Sequence, residues 1–244
     1  MLSQAQIKLI KSLQLRKHRR EAGLFIAEGI KVVEELVTSA IKVEHVYASD
    51  KYEGLVPHIK ITDRELNQVS SLTNSQGIIA LCRIPSTTAA KPDLKKEFVI
   101  ALDNIRDPGN MGTIIRIADW FGIKHIFCSN ESVDAYNSKV VQATMGSIAR
   151  VNVHYIDLPA MLADCTKDNT PVYGALLSGK NVYTEKLTSN GVLVIGNEAN
   201  GISEQIEKLI GHPISIPSYA NGKGAESLNA AIATAILCAE FRRR

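Results

Sequence analysis

Several residue types that define common kinds of site are scarce in this 244-residue chain. Its four cysteines are far apart and include no C-x-x-C pair, so neither a disulfide framework nor a cysteine-based zinc site is expected. The six histidines form no H-E-x-x-H or similar pattern, and we predict no metal site. The longest largely apolar run, 230–239, is about half of the roughly 20 residues that a membrane span needs. Since the start also lacks the apolar core of a signal peptide, we expect a cytoplasmic protein that does not enter a membrane.

The net charge of +3 is too small to indicate nucleic-acid binding by itself. Its distribution is more informative: residues 1–90 carry 12 Lys/Arg and 9 Asp/Glu, whereas residues 91–244 carry 16 of each. Within 1–21 Glu21 is the only acidic residue, and the basic residues there are Lys8, Lys11, Arg16, Lys17, Arg19 and Arg20. Such a dense basic segment indicates contact with phosphate; a solvated helix face is the alternative.

Apolar periodicity divides the chain into two α/β regions. In 1–85 it predicts an amphipathic helix over 4–18, a helix over 30–37, and strands at 24–27, 44–48 and 77–83. The stretch 84–97 contains two prolines and several charges but no apolar period, and residues 86–96 within it read as a linker. Strands and helices alternate again over 97–244, which predicts a mostly parallel sheet with helices on both faces.

Three strands of the second region each lead into a loop rich in glycine and asparagine. The strands are 98–102, 192–195 and 214–216, the loops are 103–112, 196–201 and 218–226, and helical sequence follows each loop. Ligands of open α/β sheets bind outside the carboxyl ends of the strands, so we expect the three loops to form one site. The last helix, rich in alanine, should be tightly packed and buried, with Ser227 as its N-cap.

The segments NIRDPGNMGTIIR, IGNEANGI and IPSYANGKGAESLNAA resemble, in order and spacing, the three signature motifs of SpoU/TrmH-type RNA ribose 2′-O-methyltransferases of the SPOUT class. This resemblance covers roughly 96–244, while 1–85 is more weakly similar to the L30e-like RNA-binding domain that often precedes such domains. It implies S-adenosyl-L-methionine as cofactor, rRNA or tRNA as substrate, a homodimer formed through the catalytic domain, and a deep trefoil knot. No G-x-G-x-x-G follows the first strand, which weakens a dinucleotide-binding interpretation.

Arg116 matches the arginine of the first motif, which the resemblance implies to contact the substrate phosphate and act near the 2′-hydroxyl. Because the pKa of a guanidinium lies above about 12, phosphate positioning is favoured over action as a base. An ion pair with Asp119 or Glu198 is the alternative role for this arginine. The other polar positions that the resemblance assigns to catalysis are Asn110, Glu198, Ser227 and Asn229.

The resemblance places cofactor contacts, largely through main-chain atoms, at Gly196, Ile216 and Leu228, with Gly201 and Pro217 in the same set. Core packing is the alternative for Ile216 and Leu228. Arg106 is a further phosphate candidate besides Arg16, Lys17, Arg19 and Arg20, and an ion pair with Asp107 or Asp103 is its alternative. The third motif is longer than usual, because 219–224 (YANGKG) is inserted in it.

The expected function is therefore methyl transfer from S-adenosyl-L-methionine to a ribose 2′-hydroxyl of rRNA or tRNA. Two alternatives stay open: a methyltransferase of the same fold that acts on a base nitrogen, and a non-catalytic knotted RNA-binding protein. The presence of Arg116, Glu198, Ser227 and Asn229 argues against the second alternative.

Overall fold

The computed structural model describes residues 1–85, 92–220 and 225–243. The chain forms two compact units, Met1–Thr88 with Asp134–Ala149, and Ala89–Val133 with Arg150–Arg244. Residues 134–149 thus group with the N-terminal part of the chain, which the sequence did not indicate. Of the expected linker 86–96, residues 86–91 lie outside the described residues, and the domain boundaries stay a prediction.

The first unit begins with two helices and a small sheet. Its elements up to residue 85 are α1 (Gln4–Ser12), α2 (Arg16–Ala22), β1 (Leu24–Glu28), α3 (Ile30–Val37), β2 (Val43–Ala48), β3 (Ile59–Lys60), α4 (Asp63–Val69) and β4 (Ile78–Arg83). The sheet has the order β1-β4-β2-β3, with β4 antiparallel to both neighbours and β3 parallel to β2. Its core includes Ile10, Leu13, Ile26, Leu66 and Ile79.

The single helix predicted over 4–18 is in fact two helices, because Arg19 binds the chain between them. Arg19 Nη1 donates to the carbonyl oxygens of Leu13 at 2.7 Å and Gln14 at 2.9 Å, which therefore do not continue the helical ladder. The same guanidinium donates to Asp134 Oδ2 from Nε at 2.9 Å and from Nη2 at 2.6 Å. A residue 115 positions away in the chain thus fixes this break.

The second unit contains a six-stranded sheet. The elements that follow β4 are β5 (Phe98–Leu102), α5 (Pro108–Trp120), β6 (His125–Cys128), α6 (Ser138–Ala143, in the first unit), β7 (Asn152–Tyr155), α7 (Leu158–Lys167), β8 (Val172–Asn181), β9 (Gly191–Ile195), α8 (Glu204–Glu207), β10 (His212–Ser215) and α9 (Ala230–Arg243). A 3₁₀ turn at Ser147–Ala149 follows α6. The strand order is β10-β8-β9-β5-β6-β7, and every neighbouring pair is parallel.

The predicted layers of this unit are confirmed, with helices packed on both faces of the parallel sheet. Val99 and Ala101 of β5 share a core with Leu158 and Leu162 of α7. Phe98, which points to the opposite face, has its ring 4.4 Å from that of Phe241 in α9. Both faces are buried, which explains why the strands read as continuous apolar runs.

β8 and β10 cross at very close range. Pro213 pairs with Gly174, yet the next residue, Ile214, pairs with Lys180. A Cβ on Gly179 would lie only 2.4 Å from the carbonyl carbon of Ile214, so a side chain has no room there. The trefoil knot that the resemblance implies stays a prediction.

Two helices depart from the predictions in instructive ways. α5 begins at Pro108, five residues before the predicted Thr113, because Asp107 caps it by accepting from the Asn110 amide at 2.8 Å. α9 is not buried all round, since Ile232 and Ala239 on one stripe are exposed. Among the described residues, no helix combines the length and apolarity of a membrane span.

Candidate active site

The loops after β5 and β9 are fastened to each other at the carboxyl edge of the sheet. The Asn104 carbonyl oxygen accepts from Asn197 Nδ2 at 2.7 Å, and the Asn104 amide donates to Ser129 Oγ at 2.9 Å. Asn104 has a left-handed backbone with φ 57°, which asparagine tolerates better than most residues. The buried Asp103 accepts a hydrogen bond from the backbone N–H of Ser203 at 2.7 Å. The first and second loops therefore form one connected frame.

A chain of side-chain amides joins the third loop to that frame. Asn229 Oδ1 accepts from the amides of Ala231 and Ile232 at 2.9 and 3.2 Å, so its Nδ2 must face the other way. That Nδ2 donates to Asn110 Oδ1 at 2.8 Å, and Asn110 Nδ2 donates in turn to Glu198 Oε1 at 2.8 Å. The backbone N–H groups at the start of α9 fix the orientation of the Asn229 side-chain amide, which in turn fixes that of Asn110. Asn110, Glu198 and Asn229 are thus brought together as the motifs predicted.

The N-cap prediction for the last helix was wrong. The helix begins at Ala230, and the residue that caps it is Asn229 rather than Ser227. Both residue types can cap a helix, but the side chain of Asn229 also has an NH2 group, Nδ2, which donates to Asn110. Ser227 lies two residues earlier in the loop and is exposed, so its hydroxyl is free of a capping role.

Arg116 lies on the exposed side of α5 with Thr113 and Trp120. Neither ion pair considered for it forms: Asp119 binds Arg150, with Nη2 to Oδ2 at 2.9 Å, and Glu198 accepts from Asn110. Arg116 has no hydrogen-bond or ion-pair partner within 1–85, 92–220 and 225–243. Its charge is therefore available to a ligand.

Arg106 is held by a side-chain amide instead of a carboxylate. Its Nε donates to Asn104 Oδ1 at 2.9 Å. The two acids considered as partners are engaged elsewhere, Asp107 with the start of α5 and Asp103 with Ser203. The guanidinium is thus positioned by the same asparagine that joins the two loops, and neither of the two acids considered is paired with it.

The predicted cofactor residues combine loop backbone with accessible apolar surface. The loop requires a glycine at position 196, because a Cβ there would lie 2.2 Å from the carbonyl carbon of Gly201. Gly201 has φ 69°, the left-handed conformation that glycine adopts without strain. Leu228 is 49 % exposed, so core packing does not explain it, and Ile216 and Pro217 are half-buried. Apolar side chains beside main-chain polar groups suit a nucleoside-type cofactor such as S-adenosyl-L-methionine.

The basic residues at the N-terminus differ sharply in exposure. Lys17 is 78 % exposed, with its Nζ 3.9 Å from Glu21 Oε1. Arg20 is exposed, and Arg16 is half-buried. Arg19 is 2 % exposed and fully occupied by Asp134 and two carbonyl groups, so we remove it from the predicted RNA contacts. Its role is to hold the turn between α1 and α2.

Two residues that organise the site, Asn104 and Asn197, were not singled out from the sequence. The signal was an asparagine two residues after the end of a buried strand, a residue type that stabilises tight turns with its side chain. Within the described ranges, no three or more His, Cys, Asp or Glu side chains cluster in a way that could hold a metal ion.

Comparison with known proteins covers both parts of the chain. The model of the SpoU rRNA Methylase family matches residues 97–239, and that of the MRM3-like substrate binding domain matches residues 4–80. The 23S rRNA (guanosine(2553)-2′-O)-methyltransferase RlmP of Bacillus subtilis is 29 % identical over 247 residues, which cover 97 % of this chain and 96 % of that protein.

Solved structures give the same result at the level of the fold. A protein from Porphyromonas gingivalis, described as an RNA methyltransferase of the TrmH family, is 36 % identical with a TM-score of 0.87, covering 100 % of this chain and 99 % of that one. An AdoMet-bound rRNA methyltransferase from Sinorhizobium meliloti is 28 % identical with a TM-score of 0.81, covering 100 % and 97 %. The resemblance read from the three motifs is confirmed: the chain belongs to the SpoU rRNA methylase family.

Proposed function

We propose that this protein transfers a methyl group from S-adenosyl-L-methionine to the ribose 2′-hydroxyl of an rRNA or a tRNA. The observation that carries the proposal is the hydrogen-bonded chain Asn229–Asn110–Glu198, whose middle residue lies on the same helix as Arg116, together with the lack of any partner for Arg116 among the described residues. The names of the relatives, which are rRNA 2′-O-methyltransferases, support the same reaction and favour rRNA.

The bound cofactor supplies a methyl group that its sulfonium already activates, so the protein has to place the acceptor oxygen in line and ease the loss of its proton. Arg116 is suited to bind the phosphate next to the reacting ribose and to stabilise negative charge that develops on the oxygen. Its high pKa makes it a poor base. Asn110, Glu198, Ser227 and Asn229 are proposed to orient the ribose and the loops by hydrogen bonds.

The cofactor contacts are proposed at the main chain of Gly196, Ile216 and Leu228, with Gly201 and Pro217 shaping the loops. The exposed leucine and the half-buried isoleucine offer apolar surface to the cofactor, while the loop amides and carbonyls offer hydrogen bonds. The RNA backbone would be bound by Arg106 and by Arg16, Lys17 and Arg20. Phosphate contacts of this kind position the RNA rather than select its sequence.

A homodimer through the catalytic domain is part of the proposal. Trp120 of α5 is 85 % exposed and Ile232 of α9 is 52 % exposed, and α5 and α9 pack on each other. Large apolar side chains exposed on two helices that pack on each other are typical of an interface rather than of a free surface. Sedimentation should give twice the mass of the 26.6-kDa chain, and Trp120→Glu should give the single mass. A cytoplasmic location stays a prediction that cell fractionation tests.

Product analysis tests the reaction itself. Total RNA from cells lacking the gene is incubated with the protein and methyl-labelled cofactor, digested to nucleosides and separated. Label in a 2′-O-methyl nucleoside supports the proposal. Label in a base-methylated nucleoside supports the base-nitrogen alternative, and cofactor and RNA binding without any label supports the non-catalytic one.

A further inference from the structure

We propose that a cavity in the first unit binds one unpaired nucleobase of the RNA; the proposal rests on RNA being the substrate. The cavity has a volume of about 170 Å³ and lies between α1 and the sheet, where Gln6 and Ile10 face Tyr47 and Leu81. That volume is several times the roughly 30 Å³ that one water molecule occupies. It is smaller than the pockets of about 300 Å³ and more that hold drug-sized ligands, which limits the occupant to one small ring system.

A distortion of β2 places the polar residues at this cavity. Val43 pairs with Cys82 and His45 with Leu81, so Glu44 is an extra residue that forms a bulge. Consecutive side chains of a regular strand point to opposite faces, yet Glu44 and His45 both line the cavity. Bulges recur next to functional sites, where they redirect side chains in this way.

The interior of the cavity suits a flat, weakly polar ring. Leu24 and Leu81 contribute apolar surface, while the rings of His45 and Tyr47 lie 5.9 Å apart at 42°. Tyr47 is 1 % exposed, and its hydroxyl accepts from Gln6 Nε2 at 3.1 Å. Burial raises the pKa of Tyr47. Like any phenol at neutral pH, its hydroxyl carries a proton and is a hydrogen-bond donor as well as the acceptor from Gln6. Aromatic rings combined with a hydrogen-bond donor are how proteins bind unstacked bases.

The rim adds charged groups of both signs. Arg83 Nε donates to Glu44 Oε1, and Lys42 Nζ lies 3.3 Å from the same oxygen. Guanidinium N–H groups and carboxylate oxygens are the donors and acceptors that read base edges. Two cations against one anion leave a positive rim that favours a nucleotide, with its phosphate, over an apolar side chain of a protein partner.

Mononucleotides test the cavity directly. The full-length, ¹⁵N-labelled protein is titrated with AMP, GMP, CMP and UMP, and with ribose 5-phosphate as a probe that lacks a base. We expect at least one nucleotide to shift the amide resonances of His45 and Arg83 while ribose 5-phosphate leaves them in place. Equal shifts from ribose 5-phosphate, or none from any nucleotide, would overturn the proposal.

Substitutions extend the test to RNA. His45→Ala removes an exposed ring and should weaken binding of single-stranded poly(A), poly(U) or poly(C) by roughly fivefold or more, without changing binding of duplex RNA. His58→Ala removes another exposed histidine of this unit, away from the cavity, and should change neither. Equal losses for single-stranded and duplex RNA would show that His45 contacts RNA without recognising an unpaired base and would refute a base pocket.

Methyl transfer separates this proposal from the function on which it rests. If the wild-type protein methylates RNA but no nucleotide enters the cavity, the pocket is refuted and the function stands. If nucleotides bind at His45 but the wild-type protein transfers no methyl group, the function is refuted while the pocket stands.

Discussion

The basic helices at the N-terminus and helix α5 of the second unit each present an arginine that the sequence marks as functional. In the first region Arg19 is 2 % exposed and makes four hydrogen bonds within its own unit. In the second region Arg116 is exposed, and its two candidate partners are occupied by Arg150 and Asn110. The contrast teaches that an arginine is structural when its guanidinium already has hydrogen-bond partners within the protein, and available to a ligand when it has none. This distinction matters more than the place of the arginine in a basic cluster or motif.

The largest expected effect is on stability, at Arg19. Arg19→Met leaves the Asp134 carboxylate, which is 12 % exposed, and two carbonyl groups without their donor. Breaking a buried pair in this way costs about 3–5 kcal/mol of unfolding free energy. Chemical denaturation should show this loss, whereas Arg20→Met, an exposed neighbour, should stay within about 0.5 kcal/mol of wild type. A stable Arg19→Met protein with weakened RNA binding would reverse the assignment and return Arg19 to the RNA contacts.

Arg116 should show the opposite pattern. Arg116→Ala removes a side chain that has no hydrogen-bond or ion-pair partner in the described part of the chain, so the melting temperature and the cofactor affinity should stay close to wild type. Methyl transfer should fall by about 10²–10³-fold, the usual loss when a preorganised group that stabilises developing charge is removed. The matched control is Arg150→Ala, an arginine already paired with Asp119, for which we expect little change in turnover. Normal turnover in Arg116→Ala refutes the catalytic assignment.

Smaller effects on stability and on methyl transfer should separate two roles of Asn229, the capping of α9 and the hydrogen bond to Asn110. Asn229→Ala removes the cap of α9 and should cost about 1 kcal/mol of unfolding free energy. Asn229→Ser keeps a capping oxygen but cannot donate to Asn110, so stability should be nearly restored while methyl transfer stays reduced by up to about tenfold. If Asn229→Ser restores both, the residue acts only as a cap and the amide chain has no part in the reaction.

The sequence predicts features that depend on local pattern, as a comparison of the predicted and observed elements shows. Buried strands such as β5 and β9 were placed to within one residue because continuous apolar runs leave few alternatives. The motif residues Asn110, Glu198 and Asn229 were expected together, and they form one hydrogen-bonded chain. These features depend on local pattern and on the order of the strands.

Features that depend on distant partners could not be read in this way. The break between α1 and α2 needs Asp134, and the choice of Asn229 over Ser227 as N-cap needs Asn110, more than a hundred residues away. The early start of α5 is a different case, since Asp107 followed by Pro108 was a readable cap signal. Residues 221–224 of the insertion 219–224 lie outside the described part of the chain.

The smallest expected effect sharpens the comparison within the basic helices themselves. Lys17 is 78 % exposed, so Lys17→Gln should leave stability unchanged and weaken RNA binding slightly. The slope of log affinity against log salt should fall by about 0.7–0.9, the contribution of one phosphate contact. Lys51→Gln, which removes a lysine paired with Asp63 in the same unit, should leave that slope unaltered. Identical slopes for both variants and the wild type would mean that the exposed face of α2 is solvated and makes no contact with phosphate. Arg19 and its neighbours would then differ in burial, but none of them would contact RNA.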